Sequence, residues 1–403
     1  MEYVFARGDY NSLRALLLSL NKKRNQSRES VLSIVKYSLN DVYYKLNEDE
    51  QIKLLRILIE ITEGRIFVEH EYSVAVRRLT EIYLARRDIE EAAKLIQDIQ
   101  IETFGSLDRF YKVDYILFQM RILLQKEDYV RTLIVSNKIN RKHLNDEGLH
   151  KLKVEFYELM IRYYIHEDKF IDVSKCYKIL YDFYKEIEGK CNLMTDSKDS
   201  SAKTYIDLLN AQNKKALFVN YVIFLSICPP ELETKNMFNE LNLFYKKDLE
   251  ENPEMLSVVK KRLSDDFVYI DDNFLGQYLS YPIFVKDEVN NPFAEKHFLL
   301  FRKYWIQHNV MIFGKYFSQI RLDRMSAMIG IDKNEVEREV ADMVINNYIY
   351  AKINRINSTV NFRKRQDVND KLNDLNFDLA TMLDKIENTC HLIHKENLKY
   401  DIK

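Results

Sequence analysis

The sequence predicts a mainly α protein: a right-handed α-solenoid of TPR-like helical pairs, then a winged-helix module, then one long C-terminal helix. Three observations carry that prediction. Gly and Pro number only 8 and 5 in 403 residues, so helix breakers are scarce throughout. A helix–turn–helix figure returns about every 40 residues, the range of paired-helix arrays. The stretch Phe301–Phe362 has the helix–helix–helix–hairpin pattern of a winged helix.

The repeat is clearest in ARRDIEEAAKLI (Ala85–Ile96), LQKEDYVRTLIV (Leu124–Val135) and IHEDKFIDVSKC (Ile165–Cys176). In each, a helix ends in charged residues, an Asp marks the turn, and Ile89, Tyr129 or Phe170 opens the next helix. Asp9 and Tyr10 show the same figure two periods earlier, and a weaker copy falls near Glu50. One helical pair leaves a face uncovered, so pairs must stack, which predicts a curved arm whose concave side suits other proteins. Residues 1–293 are assigned to this solenoid. Within it, Gly189–Ser201 (GKCNLMTDSKDSS) has loop composition and is expected to project as an insert, with helix resuming near Lys203. Ala216–Cys228 is greasy but too short for a bilayer, and reads as a buried helix. Pro229–Pro292 holds all five prolines and should be the least regular part.

Residues 294–367 are assigned to the winged helix. Its first helix places Ile306, Val310, Phe313 and Phe317 on one apolar face. A second helix runs from about Leu322 to Met328, and Gly330 supplies the turn. Asp332 and Glu335 form a capping pair for the third helix, because both carboxylates can take free backbone N–H groups. Tyr348–Ile353 and Thr359–Phe362 are rich in β-branched and aromatic residues around a polar Asn354–Ser358 turn, which predicts a hairpin.

Residues 368–403 are assigned to a C-terminal helix, with Lys371–Asn397 free of Gly and Pro. Leu372, Leu375, Leu379, Met382, Ile386 and Ile393 recur in steps of three and four, a two-in-seven seam of the coiled-coil type. Burying six such side chains contributes on the order of 10 kcal/mol. The periodicity leaves two homes for that seam open: this chain's own body, or helices of other subunits.

Composition excludes several roles. A net charge of −1 offers no general attraction to nucleic acid or acidic membrane. Cys176, Cys191, Cys228 and Cys390 are scattered, with no C-x-x-C pair, as expected of reduced thiols. The opening MEYVFARGDY is not a secretory signal. There is no phosphate-cradling G-x-x-x-x-G-K and no G-x-S-x-G nucleophile turn. His70 has no second His at zinc-protease spacing. Cys390, His391 and His394 fall short of the four ligands of a structural zinc site. The third winged-helix segment, Asp332–Asp342, carries five acids against Lys333 and Arg338, the wrong sign for phosphate contact. No catalytic, cofactor or metal residue is assigned, and the wing reads as a sheet edge able to pair with another strand.

The order of solenoid, winged helix and terminal helix resembles PCI-domain proteins, the scaffold subunits of three large complexes. Closer likeness is to the PCI subunits of the proteasome regulatory-particle lid. It is carried by TEGRIFVEHE (Thr62–Glu71), DIEEAAKLIQDIQIETFGSLDR (Asp88–Arg109), QMRILLQKEDYVRTLIVSNKIN (Gln119–Asn140) and KLKVEFYELMI (Lys151–Ile161). In the second half it is carried by HNVMIFGKYFSQIRLDRMSAMIGI (His308–Ile331), AKINRINSTVNF (Ala351–Phe362) and HLIHKE (His391–Glu396).

That resemblance implies a non-catalytic scaffold in a hetero-oligomer of the cytoplasm and nucleus, without cofactor, nucleic acid or membrane. Implied partners are the other lid PCI subunits and the lid metalloprotease, with the solenoid arm reaching the ATPase ring and core particle. By position, Tyr350, Lys352, Ile353, Val360 and Phe362 would line the contact between wings. Leu375, Leu379, Met382, Ile386 and Ile393 would enter a helical bundle. Two departures are expected: an N-terminus shorter than is usual for the family, and no counterpart for the Gly189–Ser201 insert. The alternatives are a PCI subunit of the COP9 signalosome or of a translation initiation factor complex, and a winged-helix nucleic-acid binder.

Overall fold

The turns that close the repeats share one backbone device, and the helical pairs are built on it. In the computed structural model the described residues are 15, 28–97, 99–193, 214–270, 272–285, 293–363 and 368–399. Asp9, Tyr10, residues 194–201 of the expected insert, and Lys203 lie outside them. The first helices are α1 (Arg28–Tyr37), α2 (Glu48–Thr62), α3 (Glu69–Ala85) and α4 (Ile89–Gln97). They continue as α5 (Arg109–Gln125), α6 (Tyr129–Ser136), α7 (His150–His166) and α8 (Phe170–Leu193). Then α9 follows at Lys214–Ser226.

Arg87, Glu127 and Asp168 all take positive φ, at 64°, 63° and 58°. Each is followed by an N–H that reaches back to a carbonyl five residues earlier: Asp88 to Tyr83 (2.9 Å), Asp128 to Leu123 (2.9 Å) and Lys169 to Tyr164 (3.0 Å). This is the Schellman stop, which turns one helix into the next with its last carbonyls satisfied. The repeat expected from sequence is therefore real. Its third copy is shifted, because Asp168 occupies the left-handed position that Arg87 and Glu127 hold, not the position of Asp88 and Asp128. None of the three is glycine, and a left-handed backbone costs an ordinary residue free energy. Replacing Arg87 and Glu127 together by Gly is expected to raise stability by roughly 1 kcal/mol in total, read as a higher Tm.

Successive pairs are stitched through their first helices. Arg77 of α3 pairs with Asp114 of α5 at 2.5 Å, and Arg121 of α5 pairs with Glu155 of α7. Gln119, buried in α5, donates to the carbonyls of Ile96 (2.8 Å) and Ile99 (3.1 Å), tying down the end of the preceding pair. The greasy α9 is buried as expected, with Phe218, Tyr221, Val222 and Leu225 enclosed and Tyr181 of α8 tilted against Phe218 at 5.1 Å. The expected loop character of Gly189–Leu193 is corrected: these residues complete α8.

The chain divides into two compact units between Leu225 and Ser226, well ahead of the 293/294 boundary expected from sequence. In the second unit α10 (Leu232–Phe244), α11 (Lys246–Glu250), α12 (Pro253–Leu263) and α13 (Asp272–Gly276) lead to α14 (Ala294–Tyr316). Side chains explain why these segments join the winged helix. Asn309 of α14 is fully buried, accepts from Val268 N–H (3.0 Å) and donates to Val268 C=O (2.7 Å). Trp305 of α14 is enclosed edge-on by Phe274 at 5.3 Å. Ile270 N–H then reaches Ile329 C=O at 3.0 Å.

The winged helix follows: β1 (Gln319–Arg321), α15 (Leu322–Ile329), α16 (Lys333–Ile345), β2 (Lys352–Asn354) and β3 (Thr359–Asn361). The last described element is α17 (Val368–Lys399). Phe317 lies just past the end of α14, not within it. Gly330 ends α15 at φ 88°, and a Cβ there would stand 2.9 Å from the ring of Tyr269, so both backbone and space require glycine. Asp332 caps α16, accepting from Asn334 N–H at 3.3 Å, but the expected capping pair is corrected, because Glu335 is drawn to Arg302 instead.

Candidate protein-interaction surfaces

The wing is a three-stranded antiparallel sheet in the order β1–β3–β2. Ile320, Val360 and Ile353 stand in register across it, and so do Gln319, Asn361 and Lys352. The first row faces the core, with Ile320 and Val360 buried and Ile353 half-buried. The second row is exposed. Two further bonds lengthen the β1–β3 ladder: Leu322 N–H to Ser358 C=O (2.8 Å) and Phe362 N–H to Ser318 C=O (3.0 Å).

This arrangement redistributes the expected wing residues. Val360 is corrected: it sits on the central strand with 0% exposure and pairs on both sides, so it cannot offer an edge. The cause is β1, a three-residue strand that sequence reasoning missed because too few residues carry its pattern. Phe362 is half-buried, its ring 3.5 Å from where a Cβ on Gly314 would lie, so it closes the wing onto α14. Tyr350 precedes β2 instead of lying on it, and is exposed beside the Lys352 ammonium, 6.0 Å from its ring centroid. Among the described residues the open edge on the hairpin side is β2, with Lys352, Ile353 and Asn354. Beyond it Ile356 projects from the turn at 94% exposure.

The acids of α16 are largely spent within the module. Glu335 pairs with Arg302 (3.1 Å), Asp342 with Lys303 (2.9 Å) and Glu337 with Arg355 of the wing turn (2.7 Å). Glu339 is buried and accepts from Gln307 at 3.0 Å, and that burial pushes its carboxyl pKa upward. Lys333 reaches both Asp323 (2.7 Å) and Ser358 Oγ (2.9 Å), fastening the turn to the helices. These cations leave the helix without an acidic surplus, but also without the positive stripe that phosphate binding needs.

The apolar seam of α17 is uncovered. Leu372, Leu375, Leu379, Met382, Ile386 and Ile393 are between 48% and 60% exposed. Leu383, overlooked in the sequence, belongs with them, since it is one turn from both Leu379 and Ile386; its i+4 spacing from Leu379 was the available signal. Phe377 and Leu392 are exposed on the other side of the helix. By contrast Cys176 is buried and its thiol is pushed up to about 12, so it is not a reactive nucleophile. Among the described residues no helix is long and apolar enough to cross a membrane.

The family model described as PSMD12/CSN4, N-terminal matches residues 1–188, and the PCI domain model matches residues 278–364. Over 405 residues the chain is 28% identical to the 26S proteasome regulatory subunit rpn501 of Schizosaccharomyces pombe, covering 100% of this chain and 86% of that protein. It is 27% identical over 398 residues to the 26S proteasome non-ATPase regulatory subunit 12 of Dictyostelium discoideum, covering 99% and 83%. It is 25% identical over 411 residues to the 26S proteasome regulatory subunit RPN5 of Saccharomyces cerevisiae, covering 100% and 86%.

Proposed function

Because this chain belongs to the PCI-domain family that includes the 26S proteasome non-ATPase regulatory subunit 12 proteins, we propose that it is a non-catalytic scaffold of the proteasome regulatory particle. It holds other PCI subunits of the lid through its wing edge and terminal helix, and braces the lid against the ATPase ring and core particle with its solenoid. The observations that carry this reading are the uncovered seam of α17 and the edge position of β2 in the wing sheet. A helix of that kind needs partner helices, and a strand edge of that kind can accept a partner strand. The role it serves is ubiquitin-dependent protein degradation in cytoplasm and nucleus.

Tyr350→Asp combined with Lys352→Glu tests the wing half of the proposal. Both side chains are exposed, so the expected result is an unchanged Tm and at least a tenfold loss of incorporation into the particle, about 1.4 kcal/mol. Recovery of the variant in intact particles at normal yield overturns it. Ile353 is the poorer choice, because its side chain shares the inner row with Val360. The joint PSMD12/CSN4 description of the first half also favours a second reading, a corresponding subunit of the COP9 signalosome. Mass spectrometry of co-purified partners separates the two.

A further inference from the structure

The first turn of α3 carries a buried acid that its own neighbours satisfy poorly. The side chain of Glu71 is only 8% exposed, yet among the described residues its carboxylate accepts no hydrogen bond. Lys36 Nζ of α1 stands 3.6 Å from Glu71 Oε1, and His70 Nδ1 stands 4.0 Å from the same atom. Both distances exceed the roughly 2.7–2.9 Å of a charge-assisted hydrogen bond, and both side chains are more than half in water. A lysine head group held that loosely is displaceable, whereas a buried carboxylate without hydrogen bonds is costly.

The acid borders an open cavity of about 550 Å³ between α1 and α3, within the first unit. That volume falls in the roughly 300–1,000 Å³ range of ligand pockets. The wall beside α1 is shaped by a π-helical turn, Ser38–Val42, which continues that helix. Ser38 Oγ donates to Ile34 C=O (2.8 Å), and Arg78 of α3 donates to Leu39 C=O, so the wide turn is held from both sides. Such turns recur at functional sites, and this one brings Leu39 and Asn40 to the cavity. Phe67 and Val74 supply further apolar wall. Ser106 spends its hydroxyl hydrogen on Glu69 Oε2 (3.1 Å), which leaves its oxygen as an acceptor. His70 is fixed by stacking on Tyr111, with ring centroids 5.3 Å apart.

We infer that this cavity binds an alkylguanidinium cation, the group carried by the arginine side chain, with Lys36 as the placeholder it displaces. A guanidinium presents five N–H donors in a planar fork, so it can pair with both oxygens of Glu71 and keep donors for the Asn40 carbonyl and Ser106. Lys36 offers a point charge on a flexible stem and lacks that fork. The methylene stem of the ligand lies against Leu39, Phe67 and Val74. None of these residues belongs to the wing or to α17, so the inference goes beyond the scaffold reading and either one can fail alone.

The full chain is titrated at fixed ionic strength with Nα-acetyl-arginine amide and with its uncharged ureido isostere, Nα-acetyl-citrulline amide, following saturation-transfer NMR of the probe and the Tm. The cation is expected to bind saturably at about millimolar concentration and to raise the Tm, and the isostere to bind at least about tenfold more weakly. Glu71→Gln, which keeps the shape and removes the charge, is expected to weaken the cation by at least about tenfold. Lys36→Gln, at an exposed position, is expected to tighten it several-fold, the reverse of what loss of a structural contact would do. Free arginine forms a third arm. Tighter binding of the free amino acid marks a small metabolite as the source of the cation, and tighter or equal binding of the blocked form marks a side chain within a polypeptide. Equal binding of the arginine and citrulline compounds overturns the proposal. So does absence of saturable binding, an unchanged affinity in Glu71→Gln, or weaker binding in Lys36→Gln.

Discussion

Replacing Leu379 and Ile386 together by Asp is expected to leave the Tm of the isolated chain unchanged and to abolish its co-purification with the subunits it is proposed to join. The first half of that result follows from exposure: both side chains are about half in water on α17, so charging them removes no contact within the monomer. The second half follows from what a partner helix would bury. Full burial of such a side chain is worth about 1.5–3 kcal/mol, so covering the half of each still in water supplies about 1.5–3 kcal/mol of association for the pair. Two desolvated carboxylates add a further penalty. The measurements are a thermal melt of the isolated chain and recovery of the particle from cells expressing the variant. Collapse of the melt would place the seam against the chain's own body, and normal recovery would remove it from the interface.

Asn309→Ala is expected to destabilise the second unit by about 3 kcal/mol and to do so without touching any exposed surface. Its amide closes a two-bond ring with the backbone of Val268, and both Val268 groups are deep inside. Removing the side chain strands a buried N–H and a buried C=O, each costing about 1–3 kcal/mol, and leaves a small void. Asn309→Asp keeps the acceptor for Val268 N–H but sets a carboxylate against Val268 C=O, so it rescues none of the loss at neutral pH. Denaturant midpoints of the three proteins check this. A change below about 1 kcal/mol for Asn309→Ala would show that water replaces the amide and that the segment is held by Trp305 and its aromatic neighbours alone.

Much of the architecture was legible because it rests on local chemistry. The figure around Ile89, Tyr129 and Phe170 is written in consecutive residues, since a Schellman stop needs only one helix end and the residues after it. Gly330, the Asp332 cap and the seam of α17 are likewise matters of neighbours along one helix. The wing was legible only in part. Tyr348–Ile353 has β-rich composition, yet Tyr348 serves to close α16, its N–H reaching Met343 C=O at 2.9 Å, and β2 begins at Lys352. Three residues, Gln319–Arg321, form a strand solely because β3 lies alongside, and nothing in their own pattern announces it.

What the sequence by itself determined is the helical periodicity, the order of modules, the absence of a recognisable catalytic motif and the apolar row on the last helix. Tertiary structure alone decided that Val360 is interior while β2 is an edge, and that residues 226–270 and 272–285 pack with the winged helix. The division has one physical origin. Helix stops, caps and amphipathic faces depend on residues within a turn or two of each other, whereas strand order, domain partition and the burial of a charge depend on partners some forty residues away along the chain.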